Sequence, residues 1–156
     1  MTTKVIGESV KQTNRNFIKS YVQDYANAIT ENYKRYHIHT LNRNLHGNYP
    51  DYAREQLAEI ENGTAKLYKF KVYSGKRYYK IVQQEFETWE KSKYFGQYRD
   101  GSVHCFVDKE TGDVYKAASW KSPAKHIRFS FQNEADLRFL LNPDNVTWTS
   151  GYLYFR

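Results

Sequence analysis

Three histidines form the one group of side chains whose spacing suggests a metal site: His37, His39 and His46 fall within ten residues. No cysteine and no carboxylate stands at ligand spacing in this segment, and catalytic zinc usually requires three good protein ligands. The alternative is a polar loop over residues 37–49 that leads into a helix starting at Pro50. We therefore predict no metal and no cofactor.

His104 is the second residue that could do chemistry. It precedes Cys105, the single cysteine, but neighbours on a strand point to opposite faces and cannot form a dyad. His104 could act with Asp108 or Tyr115 in a nuclease-like or phosphodiesterase-like site if they shared a face. The alternative is a histidine that packs within a sheet. Because common motifs of hydrolases, nucleotide-binding loops and zinc proteases are absent, the sequence favours a non-catalytic protein and leaves an enzyme as the alternative.

Lysines and tyrosines form the third group, since the chain has 15 tyrosines and a formal charge of +7. Ser74-Gly75 between two alternating runs predicts a two-residue hairpin turn. That register pairs Lys71 with Tyr78, and Lys69 with Lys80, on one face of the sheet. Like charges opposed on a sheet destabilise it, so the pair of lysines should attract an anion.

That anion is either a phosphate of a ligand or an acidic side chain such as Glu85 or Glu87. Lysines hold phosphates as point charges and aromatic rings stack on bases, a combination typical of proteins that bind single strands. We therefore expect binding to single-stranded DNA or RNA. The candidate residues are Lys69, Lys71, Tyr78, Lys80, Lys116, Trp120, Lys121, Lys125 and Arg128.

Two predicted elements position these residues. Apolar side chains from Val10 to Tyr33, spaced by three and four, predict a helix over residues 9–36. Residues 66–120 predict a core of two hairpins, with a mobile connector over residues 84–101. A C-terminal strand over residues 146–155 completes the sheet. We predict a single α+β domain over residues 1–156, an antiparallel sheet of about five strands packed on the N-terminal helix.

The second hairpin has the clearest local signals. Residues 102–108 alternate, with His104 and Phe106 on one face and Cys105 on the other. Asp108 should accept hydrogen bonds from amides two or three residues on, and Gly112 should take a positive φ. The return strand runs to Trp120 and ends before Pro123, which has no amide hydrogen to donate. Short helices are expected from Pro50 to Glu61, ending at Gly63, and from Asn133 to Leu141.

The segment HCFVDKETGDVYKAASWKSPAK, His104 to Lys125, resembles one found in small uncharacterised proteins of tailed bacteriophages. These carry a similar D-K-x-T-G-x-V-Y-K-x-A-S-W-K-x-P-A-K run. The resemblance implies a phage origin. It implies no activity and no catalytic residues, because the family offers none to transfer.

The remaining composition bears on location and partners. The chain shows no signal peptide and no apolar run long enough to cross a membrane, so we expect a cytoplasmic protein, in the host cell if phage-encoded. The alternative to nucleic-acid binding is an inhibitor or sequestering protein that acts on a host enzyme or defence system through a tyrosine-rich interface. A virion or assembly component, able to form oligomers, is a third hypothesis. Salt separates the first two, because phosphate binding weakens steeply with ionic strength.

Overall fold

A long helix packs on one face of a five-stranded antiparallel sheet, which confirms the predicted α+β class. The computed structural model describes residues 3–154, and the backbone alone for residues 3–13. The strands follow one another in the sheet in chain order, as a meander. The elements are α1 (Thr3–Leu45), α2 (Pro50–Asn62), β1 (Lys69–Ser74), β2 (Tyr78–Phe86), β3 (Tyr98–Asp108), β4 (Asp113–Ala117), β5 (Pro123–Ser130), α3 (Glu134–Leu140) and a 3-10 helix (Gly151–Tyr154).

Most of the predicted apolar stripe of α1 is buried against the sheet, but its member Phe17 is exposed. Its members Ile18, Val22, Tyr25 and Ile29 join one core with residues of the strands, of α3 and of the C-terminal segment. The side chain of Val10, the first predicted member, lies outside the described residues. A helix this long is stable because its stripe is buried.

The helix ends at Leu45, so the prediction that it ends at residue 36 was wrong. The stripe continues at intervals of four through His37 and Leu41, and α2 folds back to cover it. Leu41 and Ala53 are both buried. As predicted, α2 begins at Pro50 and ends at Gly63, which adopts a left-handed φ of 81°.

The β1–β2 turn is wider than the predicted two-residue turn. Ser74 pairs with Tyr79, and the Gly75 amide donates to the Tyr78 carbonyl at 2.9 Å. Neither Ser74 nor Gly75 has the positive φ that a two-residue turn of the primed types requires. The register therefore moves by four residues relative to the prediction. Because four is even, the side chains within β1 and β2 keep their predicted face while their partners change, whereas Arg77, predicted on the core face, lies in the loop and lines the groove.

Strand β3 starts at Tyr98 and β2 continues to Phe86, so both strands extend into the predicted connector over residues 84–101. The remaining loop is held by its own hydrogen bonds. The Glu87 amide donates to the Gln97 carbonyl at 2.9 Å, and Arg99 contacts the Glu87 carboxylate at 2.7 Å. The predicted mobility of this segment stays a prediction.

The β3–β4 turn follows the prediction. The Asp108 carboxylate accepts from the amides of Glu110 at 2.8 Å and Thr111 at 3.0 Å, and Gly112 has a φ of 74°. The predicted cap of α3 is also present, since the Asn133 side chain accepts from the Asp136 amide.

The fifth strand is a different segment from the one predicted. Pro123 begins β5 instead of ending the pairing, because proline is tolerated as the first residue of an edge strand. Residues 146–154 form turns and the 3-10 helix instead of a strand, and Ser150 has a φ of 66° that interrupts an extended chain. The Asn32 side chain holds this segment, donating to the Pro143 carbonyl at 2.7 Å and accepting from the Trp148 amide at 3.0 Å. Phe155 of the predicted strand lies outside the described residues.

Candidate functional site

The two faces of the sheet differ in composition. Phe70, Ile81, Cys105 and Val107 point toward α1 and belong to the core. The opposite face, here called the lysine face, follows from the alternation of β1 and β2 and from their registers. Its members in β1, β2 and β3 are Lys69, Lys71, Tyr73, Tyr78, Lys80, Val82, Gln84, Phe86, Tyr98, Asp100, Val103, Phe106 and Asp108.

Ammonium groups lie over aromatic rings along the lysine face. Distances from each Nζ to its ring centroid are 4.0 Å for Lys80 over Trp120, 4.8 Å for Lys71 over Tyr73, 4.0 Å for Lys69 over Tyr98 and 5.1 Å for Lys66 over Phe86. An exposed pair of this kind contributes only about 0.5–1 kcal/mol. The lysines therefore remain available to an anionic ligand at small cost.

One end of the lysine face forms a groove of about 400 Å³. Its walls come from the β1–β2 loop, from β2 and β3, and from the β4–β5 loop. The aromatic lining is Tyr73, Tyr78, Phe106 and Trp120, and the charged lining is Lys76, Arg77, Lys80, Lys121 and Asp100. A cavity of this size with aromatic walls and a few charged groups is typical of a site for a small ligand or one unit of a polymer.

Lys80 connects the two loops of the groove. Its ammonium donates to the Trp120 carbonyl at 3.0 Å, so the same lysine contacts both the ring and the backbone of Trp120. The β4–β5 loop is closed by hydrogen bonds from the amides of Ala118 and Ser119 to the Ser122 carbonyl, at 3.0 and 3.1 Å. These contacts place Trp120 at the groove.

Asp100 is the one carboxylate among the residues that line the groove. Its carboxylate accepts a hydrogen bond from the Tyr73 hydroxyl, which lies 2.8 Å from one oxygen and 3.0 Å from the other. It also accepts one from the side-chain amide of Gln84 at 2.8 Å. Partial burial opposes its ionisation, but these hydrogen bonds and the charges of Lys71 and Lys80 outweigh that effect and lower the pKa of Asp100. The hydrogen bond to Asp100 raises the pKa of Tyr73. Asp100 is therefore an anion at neutral pH.

The structure brings together six of the nine predicted site residues: Lys69, Lys71, Tyr78, Lys80, Trp120 and Lys121. The other three lie elsewhere. Lys116 pairs with Cys105 on the helix-packed face, and its ammonium lies 4.1 Å from the centroid of the Tyr154 ring. Lys125 and Arg128 belong to β5, three strands away from β2, and they are not among the residues that line the groove.

The predicted opposition of Lys69 and Lys80 does not occur. Lys69 pairs with Gln84, and Lys80 pairs with Tyr73, because of the wider turn. The acidic neighbour of Lys80 is Asp100, whereas Glu85 and Glu87 contact Arg99. The case for an anionic ligand rests on the cations that line the groove and no longer on a like-charge pair.

Five charged or aromatic groove residues were missed at the sequence level: Tyr73, Lys76, Arg77, Asp100 and Phe106. Tyr73 follows Lys69 and Lys71 at intervals of two, so strand alternation alone would have placed it on the lysine face. Phe106 was placed on the correct face but not in a site. Asp100 was assigned to the connector and had no local signal, because its position depends on where β3 begins.

His104 lies in the core and not at a site with Asp108 or Tyr115. The consecutive β2 residues Ile81 and Val82 pair with Cys105 and Val103 of β3, so His104 has no partner in β2. This bulge turns the His104 side chain toward the same face as Cys105. His104 Nε2 is 2.6 Å from the Tyr152 hydroxyl, which is 2.5 Å from the Tyr25 hydroxyl. Asp108 binds turn amides, and the Tyr115 ring packs against Tyr78 on the lysine face.

Burial governs the ionisation of this core cluster. It lowers the pKa of His104 to about 3, opposed by a hydrogen bond to the Trp148 backbone. It also raises the pKa of the Cys105 thiol to about 12. Both groups are therefore uncharged at neutral pH, which suits a structural role.

The predicted histidine cluster lies at the end of α1. His37 and His39 are two residues apart on a helix, so their side chains point in different directions. The His37 ring stacks on the Tyr33 ring, with 5.7 Å between the two ring centroids. Within residues 3–154, no three His, Cys, Asp or Glu side chains come together as a metal would require. Nor does any helix in that range have the length and apolarity to cross a membrane.

The fold and the site together define an α+β protein with one helix-packed sheet face and one cationic, aromatic face. The chain belongs to DUF7717, a family of unknown function, whose match covers residues 5–155. No curated protein and no solved structure matches the chain. The resemblance to tailed-phage proteins stays a prediction.

Proposed function

We propose that this protein binds single-stranded nucleic acid on its lysine face and has no catalytic role there. The observation that carries the proposal is the set of four lysine–aromatic pairs on this side of the sheet, formed by residues of β1, β2 and β3 together with Lys66, just before β1, and Trp120 of the β4–β5 loop. Aromatic rings stack on bases whatever their identity, and ammonium groups neutralise the phosphates between them.

Charge supports the same proposal. Four cations line the groove against the single carboxylate of Asp100, and the chain as a whole carries +7. Such a surface attracts a polyanion and accelerates its association. The buried Cys105 thiol fits the reducing cytoplasm that we propose as the location.

The test is fluorescence anisotropy of a labelled eight-residue oligodeoxythymidine titrated at low and at physiological salt. Binding should weaken with salt, with a log–log slope of about −0.7 for each phosphate contacted. The Lys69→Glu, Lys80→Glu double variant should bind at least about tenfold more weakly, because two contacts become repulsive.

The matched control is the Lys34→Glu, Lys116→Glu double variant, which changes the net charge equally but lies outside the lysine face, since Lys34 is an exposed residue of α1 and Lys116 pairs with Cys105 on the helix-packed face. It should retain most of the affinity. Equal loss in both double variants would show that overall charge, and not this face, attracts the strand. No binding at low salt would overturn the proposal.

A protein partner is the second candidate, and the loop between β2 and β3 favours it. Trp89, Tyr94 and Phe95 are all exposed there, the first by 62%. Exposed aromatic side chains are enriched at protein interfaces, including those of inhibitors of host enzymes or defence systems. Capture of a host protein that resists high salt and is lost in Trp89→Ala would support this candidate.

A further inference from the structure

Asp100 is out of place in a groove built only for phosphates. A carboxylate among Lys76, Arg77, Lys80 and Lys121 lowers the positive potential that would hold a polyanion. Yet two neighbours hold it in the groove, since Tyr73 and Gln84 both donate to it. The arrangement keeps a negative charge at one fixed point of a cationic surface.

The Asp100 carboxylate has acceptor capacity beyond these two donors. An ionised carboxylate offers about four lone-pair sites, and the Tyr73 hydroxyl and the Gln84 amide supply one hydrogen each. The side chain is exposed to solvent. A ligand with N–H donors can therefore reach the remaining lone pairs.

The charges of the groove are separated along the strands. Lys76 and Arg77 lie in the β1–β2 loop at one end, and Lys121 lies in the β4–β5 loop. Asp100 pairs with Gln84, six residues after Tyr78 at the start of β2, so its backbone lies away from the loop that carries Lys76 and Arg77. A nucleotide has the same polarity, with an anionic phosphate at one end and the N–H groups of its base at the other.

The four bases differ in what they present to a carboxylate. Guanine alone carries two adjacent N–H donors on its Watson–Crick edge, N1–H and the N2 amino group, which match the two oxygens of a carboxylate. Adenine and cytosine place one amino donor beside an acceptor, and thymine places one N–H between two carbonyl acceptors. An unmatched acceptor facing Asp100 would be repelled.

Building on the single-strand binding proposed above, we infer that the groove selects guanine, whose paired N–H donors bind the Asp100 carboxylate. The ring stacks on Trp120, whose other side is contacted by Lys80. The phosphates on either side of the base contact Lys76, Arg77 and Lys121. Tyr73 is a positioning residue, because it acts through Asp100.

The test compares four labelled octamers by anisotropy: oligodeoxythymidine, and the same strand with a single central dG, dA or dC. The octamer with dG should bind about five- to a hundredfold more tightly than the other three, the range for one bidentate base contact. In Asp100→Asn that preference should disappear while the thymidine octamer binds equally well or more tightly, because a negative charge is lost. Tyr73→Phe keeps the ring but removes the hydroxyl that donates to Asp100, so it should reduce the ratio of dG-octamer affinity to thymidine-octamer affinity.

Asp144→Asn is the matched control, because Asp144 is an exposed carboxylate paired with Arg35 far from the groove. It should leave the guanine preference unchanged. Thermal unfolding followed by circular dichroism checks that each variant is folded.

Two outcomes overturn the inference and leave the proposed function in place: equal, salt-dependent binding of all four octamers, or a guanine preference that survives Asp100→Asn. Failure of every octamer to bind at low salt overturns the proposed function as well.

Discussion

The two faces of the sheet use the same kinds of side chain in opposite ways. On the helix-packed face, the Tyr152 hydroxyl hydrogen-bonds within the core with both the Tyr25 hydroxyl and His104 Nε2. On the lysine face, Tyr73 and Trp120 remain partly exposed, and their rings contact ammonium groups instead of other core side chains.

The comparison shows that tyrosine content alone does not distinguish a core from an interface. Tyr25 is fully buried, and burial raises its pKa well above the usual value. Its hydroxyl is retained because a partner is present. The rings of Tyr73 and Trp120 have no comparable burial, so they remain able to contact a ligand from solvent.

The largest expected loss of stability comes from truncating a buried side chain of the core on the helix-packed face. Ile29 is fully buried in the middle of the α1 stripe, and Ile29→Ala should lower the free energy of unfolding by about 2–5 kcal/mol. Urea unfolding measures the change. Oligonucleotide affinity at temperatures where the variant is folded should not change, and a parallel loss of affinity would show that the faces are coupled.

Acid should destabilise the protein through His104. The pKa of His104 is about 3 in the folded state and about 6.5 in the unfolded state. Between these pH values the unfolded state binds a proton at His104 and the folded state does not, which favours unfolding. The contribution of His104 to the free energy of unfolding is complete above pH 6.5. It decreases by about 1.4 kcal/mol per pH unit as the pH falls from 6.5 toward 3. Urea unfolding at pH 7, 6, 5 and 4 tests this, with His104→Gln as control. Parallel stability curves for the two proteins would contradict the assignment.

Removing one hydroxyl from the buried cluster should have a smaller effect. Tyr152→Phe leaves His104 Nε2 and the Tyr25 hydroxyl without this partner, which should cost about 1–3 kcal/mol of unfolding free energy. Tyr154→Phe is the matched control, since Tyr154 is 59% exposed, and it should change stability by less than about 0.5 kcal/mol. Equal effects would mean that the buried hydroxyls contribute nothing specific.

The smallest effect on stability is expected on the lysine face. Trp120→Ala removes an exposed ring and its contact with Lys80, which should lower the free energy of unfolding by less than about 1 kcal/mol. The same change should weaken oligodeoxythymidine binding by about 1–3 kcal/mol through lost stacking. Chemical unfolding and anisotropy on one preparation separate the two. A large loss of stability with unchanged binding would make the lysine face structural.

The parts of the fold that follow local rules could be predicted from the sequence. The stripe of α1, Gly63 at the end of α2, the Asp108–Gly112 turn and the Asn133 cap each depend on residues within one or two turns of chain. Alternation also predicted the lysine face correctly in β1 and β2. These residues lie on the predicted face although the predicted β1–β2 register was wrong by four residues, because a shift by an even number does not exchange the two faces of a strand.

The parts that failed depend on distant contacts. The β1–β2 register is fixed by pairing along the whole strand and not by Ser74-Gly75, and the bulge at His104 has no local signal. The C-terminal segment alternates like a strand, but Asn32 of α1 and the buried rings of the core hold it in turns. Prediction of the groove would have required the correct ends of these strands, because Asp100 lies near the start of β3 and Trp120 lies in the loop between β4 and β5.

Trp120 reaches the groove from a loop whose residues 118–122 contribute no member to the core. Insertions, deletions and substitutions in that loop can therefore accumulate during evolution without a cost to folding. Among related chains, we expect loop length and the residue at the Trp120 position to diverge faster than the α1 stripe. A change of ligand would then require only a few mutations, all in one short exposed segment.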